Sequence, residues 1–147
     1  MLQEILVKLF ERDLDKLRDE VEAYVDEADL WKVNGAVTNS GGNLALHLVG
    51  NLNHFIGGIL GNSGYVRDRD AEFTDKDLSR QKLLDEIDRS KPFILAALGT
   101  VTDEVLASNY PIEVFGHPMT TEFFLVHLST HFNYHLGQLN YHRRMAA

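Results

Sequence analysis

The chain has 147 residues, 44% of them hydrophobic, 10% aromatic and 24% charged, a globular composition that argues against disorder, a fibrous repeat or a membrane protein. A domain of this size buries roughly 68–70% of the surface its unfolded chain exposes, so residues 1–147 are expected to form one domain without disulfide staples. There is no cysteine, which removes thiolate zinc clusters, cysteine nucleophiles and thioredoxin-type chemistry.

The balance of 14 Lys+Arg against 22 Asp+Glu gives a net charge of −8, the wrong sign for a nucleic-acid partner. The first twenty residues carry Glu4, Lys8, Glu11, Arg12, Asp13 and Asp15. No secretory signal and no membrane span is expected, and the reading is a cytoplasmic protein.

Along the chain, Leu2, Ile5, Leu6, Leu9, Leu14, Leu17, Val21 and Tyr24 recur at three- and four-residue steps, which predicts a long amphipathic first helix. Gly35 and polar residues then break the pattern between Trp31 and Asn39. Ser40 offers an N-cap ahead of Leu44, Leu48, Leu52, Phe55 and Ile59, a second helix ending near Gly61.

Residues 61–73 read as a connecting loop. Thr74, spaced from Asp77 as in a capping box, is expected to start a third helix through Leu83, Leu84, Ile87, Ile94, Leu95 and Leu98, kinked or interrupted at Pro92. Pro111, Gly116 and Pro118 mark an irregular connection with room for a short helix after Thr102. Thr120 then caps a last helix with Glu122 in its first turn and Arg143 and Arg144 in its last, both matched to the helix dipole. Four helices without strand alternation predict an all-α four-helix bundle.

Seven histidines are present, and His127, His131, His135 and His142 all fall on the last helix. Steps of four residues advance only about 40° around a helix, so His127, His131 and His135 form a stripe with about 6 Å between successive Cα atoms. Phe124, Leu128, Phe132, Leu136 and Leu139 flank it, placing the stripe at the margin of the core-facing surface. On the second helix His47, Asn51 and His54 follow nearly one line and can supply a further ligand. Three imidazoles and one solvent position make an open site for a divalent cation.

Other chemistries lack their markers. Glu-x-x-His is absent at every histidine, so a carboxylate-bridged di-iron site is not expected. His-Glu-x-x-His, Gly-x-Ser-x-Gly, Gly-x-Gly-x-x-Gly and the Walker A pattern are absent too. Arg67 and Arg69 could reach a substrate carboxylate, but interleaved with Asp68 and Asp70 they read as a solvated loop face. His117, in a Gly-His-Pro sequence, reads as an exposed turn residue.

The segment His131-Phe-Asn-Tyr-His135-Leu-Gly137-Gln138, running on to Arg143, resembles the last helix of the DinB/YfiT-like superfamily. Leu46-His47-Leu-Val-Gly-Asn51-Leu is similar to that family's helix with the first histidine. The resemblance implies a four-helix bundle, often homodimeric, with one divalent ion on His47, His131 and His135. It makes His127 a cavity-lining neighbour and His54 the fallback ligand. Tyr134 stands where many members have a second histidine, and Leu136 where arginine is common.

Relatives of this kind include transferases that use low-molecular-weight thiols such as bacillithiol or mycothiol, so the resemblance implies a thiol S-transferase acting on small electrophiles, with glutathione-type thiols in the same class. His127, Asn51 or Tyr134 could then orient ligands or relay a proton. Zinc and nickel suit three imidazoles best, and iron and manganese are further candidates. The alternatives are a non-catalytic metal- or ligand-binding module and a metal-dependent hydrolase, the latter without an evident carboxylate base.

Overall fold

The computed structural model describes residues Met1–Ala147. Helix α1, Leu2–Ala23, turns Leu6, Phe10, Leu14, Leu17 and Val21 inward, the three- and four-residue spacing that puts side chains on one helical face. After a 3-10 turn over Glu27–Trp31, α2 runs over Gly41–Leu52, where the Ser40 side chain accepts a hydrogen bond from the Asn43 amide. It continues directly into a π-helical stretch, Asn53–Leu60. Then come α3 (Arg69–Thr74), α4 (Arg80–Gly99), α5 (Asp103–Ala107) and α6 (Thr121–Ala146). The all-α expectation holds: there are four long helices, two short ones, and only isolated bridges at Asn34–Val37 and Asn109–Thr120.

Two expectations are corrected, and of the kink or interruption expected at Pro92 the interruption does not occur. The 61–73 connection is not all loop, because Asp68 accepts from the Ala71 amide and opens α3. Thr74 ends that helix instead of starting the next; Asp77 stands at φ 58°, a left-handed conformation no helix interior accommodates, and the cap of α4 is Ser79. Within α4, Pro92 and Asp88, the residue whose carbonyl loses its donor, both lie on the exposed side, where water can take the missing place.

Side-chain pairings fix the direction of each helix. Gln3 with Leu98 and Arg18 with Asp88 set α1 and α4 antiparallel. Asp13 with Asn133 and Glu20 with Asn140 set α1 and α6 parallel. Gly41 lies beside His142 and Phe55 packs on Phe124, so α2 and α6 are antiparallel.

It follows that α2 and α4 point the same way, and the segment between them must travel back along the bundle. A crossover of this kind is the long connection that some four-helix bundles use. It returns α3 to the start of α2, where Asn43 donates to the carbonyls of Glu72 and Asp75. The four long helices enclose one core in which Phe10, Leu48, Leu52, Ile56, Phe124 and Phe132 are almost completely buried. No helix is long and apolar enough to cross a membrane.

Candidate metal centre

Helices α2 and α6 meet where His47 faces His131 and His135. Antiparallel packing brings the middle of α2 level with the middle of α6, and the four-residue step from His131 to His135 puts both rings on the face that meets α2. One potential ligand atom from each of the three lies within 4.8 Å of the others. His47 Nε2 and His131 Nε2 are 3.3 Å apart. Two nitrogens held at 2.0–2.1 Å by a tetrahedral zinc ion would be separated by about 3.3–3.4 Å, so this pair already has the edge length of such a site. One proton shared between two rings could produce a similar distance, but it would not require His135 to converge on the same point.

The outer nitrogens are held as ligating histidines usually are, by a hydrogen bond to an oxygen. His47 Nδ1 lies 3.1 Å from Glu72 Oε1, and His135 Nδ1 lies 2.8 Å from Gln138 Oε1. Both oxygens accept, so Nδ1 of each ring is the donor, and the tautomer this selects in the neutral ring has its lone pair on Nε2. His131 Nδ1 is buried without a partner. Burial, then the neighbouring rings of His135, His47 and His127, then Arg67, push His131 down to about 4. Burial lowers His135 too, against the Gln138 bond, which raises it, and with His47 adding to the lowering. Neutral imidazoles are the form that binds a metal, and the residues present therefore fit a divalent cation.

Glu72 and Arg67 complete the surroundings. Arg67 donates to Glu72 twice, Nε to Oε2 and Nη2 to Oε1, both at 2.9 Å. Burial alone would raise the Glu72 carboxyl, but the bonds from His47 and Arg67 outweigh it and the net shift is downward. The reading of Arg67 as a solvated loop residue is thereby corrected: its side chain is only 11% exposed, because the crossover folds it back against α2. Arg69 does lie in solvent, over the Phe73 ring. Neither arginine is flanked by a sequence motif that announces this difference.

The remaining residues singled out from sequence stand around the triad without joining it. His54, seven residues beyond His47 and inside the π-helical stretch, sits about 10 Å further along the axis; its ring packs on Phe55, and burial followed by Arg67 lowers its pKa. His127 is stacked on Phe124 and edge-on to Phe115, with its ring centre 6.2 Å from His131. Asn51 is buried with Oδ1 unpaired. Tyr134 is mostly exposed and touches the site through its ring, 5.2 Å from that of His135. His117 is an exposed turn residue bonded to the Pro118 carbonyl, and His142 instead ties Tyr24 to the Lys32 carbonyl.

This is a DinB-like helical fold with a three-histidine cluster able to hold a metal ion. The chain belongs to the family described as a protein of unknown function, DUF1572, whose model matches residues 3–147. Its fold is similar to that of a DinB-like protein from Bacillus cereus ATCC 10987, solved at 2.01 Å, with a TM-score of 0.75 and 21% identity over 99% of this chain and 95% of that one. A search of curated proteins found no match.

Proposed function

We propose that the protein is a divalent-metal-dependent enzyme in which His47, His131 and His135 hold the ion and a low-molecular-weight thiol is transferred to a small electrophile. The observation that carries this reading is the convergence of three imidazoles from two helices within 4.8 Å. A divalent ion with an open position lowers the pKa of a thiol bound to it and so favours the reactive thiolate near neutral pH. The chain's own groups favour an anion at that point. Imidazole ligates a metal in its uncharged form, and the negative charge of Glu72 is matched by the Arg67 guanidinium bound to it, so the protein does not cancel the charge of the ion.

With no cysteine in the chain, no protein thiol competes for the open position. Phe115, 47% exposed, packs on His127 beside the triad and offers apolar surface for the electrophile. Hydrolysis is less well supported, because the carboxylate nearest the histidines, that of Glu72, is engaged by both His47 and Arg67 and is not free to act as a base. Zinc or nickel suits the donor set best, with iron or manganese next. Exposed Phe123, Tyr134 and Tyr141 on α6 support a homodimer, which sedimentation equilibrium tests.

The test of the activity is conjugation of a panel of low-molecular-weight thiols to a chromogenic electrophile by metal-loaded protein. Turnover with at least one thiol, abolished by chelation and restored by the ion, is expected. Stoichiometric metal without turnover for any thiol would instead assign the centre to a non-catalytic metal-binding module.

A further inference from the structure

We infer that Glu72 is a positioning residue for the metal centre, fixing His47 in the tautomer and orientation that aim Nε2 at His131, and that Gly50 and Arg67 are what seat it. The metal arm of this inference rests on the function proposed above; the tautomer arm does not.

The contacts leave His47 little choice. Glu72 accepts two bonds from Arg67 and faces His47 Nδ1 with Oε1. A carboxylate in that position can only accept, so Nδ1 must carry the ring proton. Arg67 Nη2 also comes within 3.5 Å of Nδ1. Being a donor itself, it has nothing to give a protonated nitrogen, and its shorter bond goes to Glu72. The Phe73 ring, next in the chain to Glu72, packs on the His47 ring at 4.8 Å, so α3 holds His47 by both its edge and its face.

Gly50 makes room for the clamp. A Cβ at that position would lie 2.0 Å from Glu72 Oε2 and 2.6 Å from its Cδ, closer than any nonbonded contact permits. Position 50 is inside α2 with no strained backbone, and alanine suits a helix better than glycine. The displaced atoms would be the end of a flexible side chain. A cleft lined by Gly50, Tyr65, Ala71 and Leu83 adjoins Glu72 and can receive it. Gly50→Ala should therefore move the carboxylate, and with it the Arg67 bonds to that carboxylate, while leaving the helical fold in place.

The experiment uses the full chain in the wild-type, Gly50→Ala, Glu72→Ala and Glu72→Gln forms, with circular dichroism to establish that each folds. In metal-free protein, long-range nitrogen–proton NMR reads the tautomer of each histidine. In parallel, zinc alone is titrated against a chromophoric chelator. His47 should be the Nδ1–H tautomer in the wild type and in Glu72→Gln, whose amide oxygen still accepts. It should lose that preference in Gly50→Ala and Glu72→Ala, with zinc affinity reduced tenfold to a hundredfold, as for other supports of ligating histidines.

An Nε2–H tautomer in the wild type would overturn the inference, as would unchanged tautomer and affinity in Gly50→Ala. Should Glu72→Ala fail to fold, Gly50→Ala alone decides. Wild-type protein that shows the Nδ1–H tautomer but does not bind zinc would refute the metal reading and leave the positioning role of Glu72 standing.

Discussion

The three rings form a compact triangle, with His131 4.6 Å from His135 and 5.2 Å from His47, and His47 5.2 Å from His135, between ring centres, and His131 is the one of the three with a buried nitrogen that nothing satisfies. An unfolded histidine takes up its proton near pH 6.5, whereas folded His131 resists it down to about 4, first because it is buried and then because its neighbours are also imidazoles. Between those two values the unfolded chain binds more protons than the folded one, so stability rises with pH there and is lost as pH falls. The urea midpoint of metal-free protein is accordingly expected to drop between about pH 6.5 and 4, and to drop less in His131→Gln. An equal slope in the two proteins would contradict the assignment. The histidines themselves were legible in the sequence, since four-residue spacing on a helix is a geometric statement. Glu72 was not: no motif connects it to His47, 25 positions away, and only the return path of the crossover brings the two together.

The elements that frame the site depend on close approach at the start of α2. Ser40 caps the helix and also donates to Asn43 Oδ1, while Asn43 ties α2 to the carbonyls of Glu72 and Asp75. One position further in than the first helical residue, a Cβ on Gly42 would lie 2.6–2.7 Å from the Trp31 ring, which is itself anchored by its indole N–H to the Leu78 carbonyl. Unlike the carboxylate near Gly50, this obstacle is a rigid ring. Gly42→Ala is expected to destabilise the protein by about 1–3 kcal/mol, the usual cost of overpacking, as read by the urea midpoint; a change within about 0.5 kcal/mol, typical of an uninvolved surface site, would show that the ring gives way freely. The long helices could be read from period and caps, because both are local. The boundary at 74–80 could not, since Thr74 looks like a cap until Asp77 takes a left-handed backbone. Nor could the π-helical turn at Asn53–Leu60, whose apolar residues also fit an α-helical period.

Across the whole molecule, the site joins two helices that are distant in sequence, so an ion bound there holds α2 to α6 and should stabilise only the folded chain. Free metal at 100 times its dissociation constant adds about 2.7 kcal/mol by mass action. For a domain of this size that is a rise in Tm on the order of 5–15 °C, reversed by a chelator; a Tm indifferent to zinc and nickel would contradict it. The bundle's class was legible from four apolar periods, while its helix directions depended on pairings such as Asp13 with Asn133 that no local pattern encodes. The decisive measurement is the metal content of protein purified without an affinity tag and equilibrated with a divalent ion. One ion per chain is expected in the wild type and in His54→Ala, and markedly less in His47→Ala, His131→Ala and His135→Ala. Full occupancy in those three variants, or none in the wild type, would contradict a shared three-histidine centre.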